Sequence, residues 1–236
     1  MAVAVAQPLQ HAEAGTRVQY LKRVALLTTL GLGVSVVSGI TSALMVAVLP
    51  FLQNQVVSLI IILGSYAIAQ FVAPRFVFSG TPAKWIGFGV GSVFQGIAMG
   101  YLLLAAVIMG AQVFGNPLAL VLQAMLLTGL TSFGMVVYLW SNPKELSWLR
   151  AGLSMLFLPM LILMGVSFVF PIGGPFGILL SVVFVGVSAV GLLYQTNQVL
   201  HKLRSDMYVE GAYMITMGIL ILFWNILVLL MRLTRR

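Results

Sequence analysis

The side chains able to do acid–base, nucleophilic or metal chemistry are few, and their placement excludes most of that chemistry. Of 236 residues, four are Asp or Glu, twelve are Lys or Arg, two are His and none is Cys. The acids are Glu13, Glu145, Asp206 and Glu210, the histidines His11 and His201, and all six lie outside the long apolar runs or at their edges. With no cysteine, disulfides, thiolate metal sites and cysteine nucleophiles are ruled out. An intramembrane protease would need a nucleophile beside a base, or a pair of acids. Ser92, Ser154 and Ser188 could offer a hydroxyl, but no His, Lys, Asp or Glu sits within an apolar run to activate it. The expectation is a protein that is not an enzyme, with no metal and no cofactor.

The polar groups left within the runs are neutral. The densest cluster is Tyr194-Gln195-Thr196-Asn197-Gln198. Adjacent hydrogen-bonding side chains cannot all face lipid, where an unpaired polar group is costly. Some must turn inward, and Asn225 is a candidate partner. The cluster reads as a polar clamp between helices or, alternatively, as a vestibule or gate. A second pattern is made of small residues: Gly87 and Gly91 form a GxxxG, and Ser92, Gly96 and Gly100 recur at four-residue spacing, with Gln95 among them. Such a face lets helix backbones approach closely, so helix packing is expected there rather than a substrate groove. Gly31, Gly33, Ser35, Ser38 and Ser42 suggest the same for the first apolar run.

These groups must be positioned by helices in a bilayer. The chain is 61% hydrophobic and 7% charged, with a mean hydropathy of +1.12. Soluble domains carry about 25% charged residues, so sixteen charges cannot clothe a water-facing surface. Basic residues come in ones and twos rather than in a patch, which argues against nucleic acid despite a net charge of +8. A crossing helix needs about 20 apolar residues. Seven stretches qualify, at Val24–Leu49, Val56–Ala73, Trp85–Gly110, Pro117–Trp140, Trp148–Phe170, Phe176–Leu200 and Val209–Met231. Pro50, the segment from Pro74 to Pro82, Asn116-Pro117, Asn142-Pro143 and Pro171 to Pro175 punctuate them. The reading is an all-α integral membrane protein, a seven-helix transmembrane bundle with short loops over residues 17–236. Residues 1–16 form a mobile tail, and the first span is a retained signal anchor.

Basic residues orient such a bundle. Arg17, Lys22 and Arg23 precede the first span; Arg75 and Lys84, Lys144 and Arg150, and Lys202 and Arg204 occupy the second, fourth and sixth connections, and the odd-numbered loops carry no charge. The N-terminus is therefore expected in the cytoplasm. Seven spans put the C-terminus, with Arg232, Arg235 and Arg236, on the opposite side; a final half-span would return it.

Three motifs carry a family resemblance. Leu193-Tyr194-Gln195-Thr196-Asn197 resembles the Leu-Tyr-Asp-Thr-Asn motif in the sixth helix of the Bax inhibitor-1 family, the transmembrane Bax-inhibitor-motif proteins. Lys144-Glu145-Leu146-Ser147-Trp148-Leu149 is similar to that family's Lys-Asp-Phe-Ser-Phe-Leu at the start of the fifth helix. Asn225-Ile226-Leu227 followed by Arg232 is similar to its closing Asn-Leu-Phe and Arg. For calcium-leak members, the resemblance implies an aspartate pair between the sixth and seventh helices, which share a proton because two close carboxylates cannot both ionise cheaply. This chain has Gln195 at the first position. The second is Leu222 when the last helix is aligned through Asn225 and Arg232, or Gly218 when it is aligned through Tyr208. Neither is acidic, so the carboxylate pH latch is missing in either register.

The resemblance is closer to bacterial inner-membrane members that also lack the acid pair. It implies binding to, and modulation of, a membrane-anchored AAA protease that degrades unassembled membrane proteins, engaged through a flexible cytoplasmic N-terminus. The expected partners are the lipid bilayer and another integral membrane protein or complex. The function expected is that of a non-enzymatic regulator or subunit working through helix–helix contacts. The alternative is a leak for a cation or small solute along a neutral, amide-lined path.

Overall fold

The computed structural model describes residues 14–80, 82–141 and 174–235, together with Leu146, Leu149 and Leu153. Its helices are α1 (Ala14–Val48), α2 (Gln55–Ala67), α3 (Ala73–Val77), α4 (Ala83–Phe114), α5 (Ala119–Ser141), α6 (Gly174–His201) and α7 (Tyr208–Thr234). A 3₁₀ turn at Pro50–Gln53 follows α1, and a π turn at Ile68–Val72 joins α2 to α3. Taking α2, the π turn and α3 as one, six helices among the described residues are long and apolar enough to cross a membrane. The expected fifth span, Trp148–Phe170, apart from Leu149 and Leu153, and residues 1–13 of the expected 1–16 tail lie outside the described residues, while residues 14–16 of that tail already belong to α1.

Local chemistry sets the helix ends. Pro50 opens the 3₁₀ turn, and the Asn54 side chain accepts from the backbone N–H of Val56 at 2.9 Å and caps α2. At the far end of α4, Gly115 takes φ +64°, the left-handed conformation that closes a helix at little cost only for glycine. The Asn116 side chain then accepts from Leu118 N–H at 3.0 Å and starts the turn into α5.

Two boundaries differ from expectation. First, α1 starts at Ala14, so Arg17, Lys22 and Arg23 ride on the helix instead of preceding it. Second, Pro74 does not end the second span, which runs through to Val77. Proline lacks an N–H and crowds the carbonyl one turn back. The π turn absorbs this: Ala73 N–H reaches back to Ile68 O, and the helix continues.

The bundle is built on α4, which packs against α1, α2, α3, α5 and α7, while α6 packs mainly on α7. One core joins Tyr20, Leu27, Val77, Phe88, Met99, Val209, Tyr213 and Met217. A second joins Ala106, Leu120, Leu192, Leu222, Ile226 and Leu227 further along the bundle. The outside is as apolar as the inside, with Leu26, Val37, Leu126 and Phe133 all more than three-fifths exposed. A helix apolar all round has hydrocarbon, not water, outside it.

Candidate functional site

The polar cluster of α6 divides between its own helix and two neighbours. Thr196 and Asn197 are buried, while Tyr194, Gln195 and Gln198 are half-buried. The Thr196 hydroxyl donates to Leu192 O of the preceding turn at 2.9 Å. Asn197 looks outward from the helix: its Oδ1 accepts from Leu146 N–H at 3.1 Å, and its main-chain carbonyl lies 3.0 Å from His201 Nδ1. Leu149 N–H in turn donates to Leu146 O at 3.1 Å, and Leu149 is buried. The first two sequence motifs therefore meet, one supplying an amide cap for the backbone of the other.

Gln195 faces α7 at Gly218. A Cβ at Gly218 would collide with Gln195 Oε1 and lie 2.8 Å from Leu192 Cδ1, so glycine is what admits the amide. Gln195 Oε1 is buried with no hydrogen-bond partner among the described residues. This contact selects between the two sequence registers: Gly218 stands opposite Gln195, while Leu222 is wholly buried in the second core. Asn225 does not join the cluster. Its Nδ2 donates to Ile221 O of its own helix at 3.0 Å, and no hydrogen bond links it to Gln195. The third motif closes the bundle elsewhere, where Arg232 donates to Gly177 O near the start of α6.

The small-residue face of α4 meets three partners. Gly87, Gly91, Ser92, Gly96 and Gly100 are all buried. Gly96 and Gly100 receive α1: a Cβ at Gly96 would strike Ser35 O and Ser38, and one at Gly100 would lie 2.9 Å from Ala43 N. Ser35 Oγ crosses this seam to Ser92 O at 2.8 Å, and Ser42 Oγ crosses it to Ile97 O at 3.1 Å. Gly87 instead receives α3, where a Cβ would lie 2.6 Å from Val77 N, and Gly91 receives the Tyr213 ring of α7. One stripe thus serves three helices because α4 is central.

Two polar arrangements are invisible to motif reading. The first follows from Pro74. With Ala73 N–H bonded to Ile68 O and no N–H on Pro74, the Ala69 carbonyl has no helical donor; the buried Tyr213 hydroxyl donates to it from α7. Beside it, Gln70 Nε2 donates to Gln95 Oε1 at 3.1 Å, and Gln95 is completely buried with Nε2 unpartnered among the described residues.

The second arrangement is charged. Lys84 and Glu210, read from sequence as loop and span-edge residues, begin α4 and α7 and are buried, with Nζ 3.9 Å from Oε1. The Tyr208 ring packs edge-on against Trp85, and Arg23 and Lys84 each lie 5.3 Å from its centroid. Tyr20 OH contacts Met207 O at 3.4 Å, and a Cβ at Gly211 would come within 2.7 Å of the same hydroxyl. Glu210 sits in the first turn of α7, where the positive end of the helix dipole favours a carboxylate. Lys84 sits buried in the first turn of α4, where the dipole opposes an ammonium, so Glu210 offsets the burial and the dipole together. The advance signal is a base directly before Trp85 and an acid two residues after Tyr208, each at a span edge.

An all-helical bundle with lipid-facing sides, organised around the sixth-helix motif and its seventh-helix partner, defines a multi-pass membrane protein. The family described as inhibitor of apoptosis-promoting Bax1 matches residues 17–235, and the chain belongs to it. Neither the curated proteins nor the solved structures compared with the chain give a match.

Proposed function

We propose that the protein is a non-enzymatic regulator or subunit that works through helix–helix contacts with an integral membrane partner, a membrane protease or another membrane complex. The observation that carries this reading is the contact of Gln195 with Gly218. Where the resemblance implies an acid pair for calcium-leak members, this chain has a neutral amide against glycine. No proton-sharing pair is available there to gate a path. The outer faces support association: Gly64, Gly129, Gly134, Gly186 and Gly191 have open space where a Cβ would stand. Backbones can approach closely at such points.

The test is purification of the full chain in several mild detergents after crosslinking in the membrane. A stoichiometric membrane protein should co-purify; a clean monomer under every condition would overturn the reading. Buried Gln195 Oε1, which lacks a partner among the described residues, motivates the second reading, a leak for a cation or small solute. Liposomes carrying the protein and a calcium or pH dye decide it. Flux above empty liposomes between about pH 6 and 8 would favour the leak, and equal flux would end it.

The same proposal places the chain in a bacterial inner membrane with seven spans, the N-terminus cytoplasmic and the C-terminus opposite. The absence of native cysteine makes this simple to check. Ser79→Cys and Thr234→Cys should be labelled by an impermeant maleimide from opposite sides; labelling from one side would return the tail to the cytoplasm.

A further inference from the structure

The helices α1 and α2 leave the turn at Pro50–Gln53 and both pack on α4, but scarcely on each other. The wedge between them is a cavity of about 810 Å³ that opens sideways, with walls including Leu30, Val34, Val37, Ile61, Val93 and Ile97. Four of its hydroxyls are already committed to main-chain acceptors: Thr29 to Ala25 O, Ser38 to Val34 O, Thr41 to Val37 O and Ser42 to Ile97 O; the fifth, Tyr101 OH, has no partner among the described residues. Apart from that single hydroxyl, what remains to a guest is hydrocarbon wall, so the wedge suits an alkyl chain and not a hydrated solute.

The charge at one end says which alkyl chain. Stepping back along α1 by turns from Val37, Gly33 and Leu30, the same stripe reaches Leu26 and then Lys22, with Arg23 beside it. Lys22 and Arg23 are exposed, Arg23 with its guanidinium over the Tyr208 ring, and neither has a carboxylate partner among the described residues. At that end the described residues include seven basic side chains, Arg17, Lys22, Arg23, Arg75, Lys84, Lys202 and Arg204, against Asp206 and Glu210. We infer that the wedge between α1 and α2 binds an anionic phospholipid, with one acyl chain lying along α4 and the phosphate held by Lys22 and Arg23. The opposite end of the wedge, at Met45 and Leu52, has no charge among the described residues lining it to attract a headgroup, so the lipid has one orientation.

The full chain would be reconstituted in nanodiscs of equal phosphatidylglycerol and phosphatidylcholine with matched acyl chains. Lipids retained on release into detergent would then be counted by native mass spectrometry. Retention should favour phosphatidylglycerol by about thirtyfold, the attraction expected of two basic side chains at a membrane surface. Lys22→Gln with Arg23→Gln should abolish that preference while a retained lipid of either kind persists. Gly33→Leu should displace both lipids, and it should fold, because a Cβ there meets nothing within 4 Å. Equal retention of the two lipids by the native chain would overturn the inference. So would undiminished retention in Gly33→Leu, or a Gly33→Leu effect seen only in oligomeric state, which would put a second protein in the wedge.

Discussion

Along α7, Glu210 meets Lys84 with their side chains only 7% and 11% exposed, while eight residues further on, about 12 Å along the helix, Gly218 meets the amide of Gln195. The first contact buries two full charges and depends on both being there. The second buries a dipole against bare backbone and holds no charge at all. Among the described residues, ionic pairing is thus confined to the end where α4 and α7 start and water is near, and is missing from the helix pair where the family resemblance implies a carboxylate latch. A buried charge is tolerated only with its partner, so the two sites should answer mutation very differently.

The largest effect should come from splitting the ion pair. Lys84→Met leaves Glu210 buried without a counter-charge, and loss of one partner in a buried pair costs about 3–5 kcal/mol. The 3.9 Å separation puts this pair at the lower end of that range. Combining Lys84→Met with Glu210→Leu should recover most of the loss, because no buried charge is then left behind. A double-mutant cycle on unfolding in detergent micelles measures the coupling. Strictly additive losses would show that the residues are independent and that the charged end is no different in kind from the neutral contact.

Second in size should be Gln195→Glu, which places a carboxyl where the chain has an amide. Against Gly218, and with no cation beside it among the described residues, a carboxylate there would be an uncompensated charge that has lost part of its water. Protonation removes that charge, so the penalty should be present at neutral pH and fade as the carboxyl is protonated. The variant should match the native chain near about pH 4 and lose about 2 kcal/mol by about pH 7. A flat difference across this range would mean that Gln195 reaches solvent.

Third come two glycines whose obstacles differ. Gly96→Ala drives a methyl into Ser35 O and the backbone of α1, which can move only if the helix moves; overpacking of this kind costs about 1–3 kcal/mol. Gly218→Ala meets the far end of Gln195 and a Leu192 methyl, both able to rotate away, so its cost should be about 1 kcal/mol. Thermal unfolding of the two variants side by side ranks them. The reverse order would make the Gln195 contact the more rigid of the two.

Much of this arrangement was legible in apolar run lengths. Their ends were not, because hydropathy cannot register how an N–H is satisfied. Pro74 looked like a stop, yet the π turn and the Tyr213 hydroxyl let the helix pass it, and the residue that rescues it lies 144 positions from Ala69. Lys84 and Glu210 were placed by counting residues from apolar runs, which says where a side chain sits along the membrane normal but not whether it turns towards a neighbour. The cluster at Tyr194–Asn197 was visible as a group that could not all face lipid, and Asn197 with Leu146 was not, since that bond uses a backbone N–H that carries no sequence signature. Asn225 illustrates the converse: a lone amide within an apolar run suggests a partner across the interface, but the carbonyl one turn back was nearer.

The smallest effect isolates burial as the cause of the largest. Arg204 and Asp206 also form an ion pair, with a shorter N–O distance of 3.3 Å, but their side chains are 53% and 57% exposed. Water already solvates both charges, so neither is stranded when the other is removed, and exposed pairs contribute only about 0–1 kcal/mol. Asp206→Asn should therefore shift stability by less than about 0.5 kcal/mol, and raising the salt concentration should erase even that. If it instead approached the cost of Lys84→Met, proximity would be the operative variable, and the contrast between the two ends of α7 would need another cause. If it stays small while the longer Lys84–Glu210 contact is costly to split, distance is excluded as the explanation. What separates the pairs is then the exclusion of water by the start of α4, the Tyr208 ring and the start of α7.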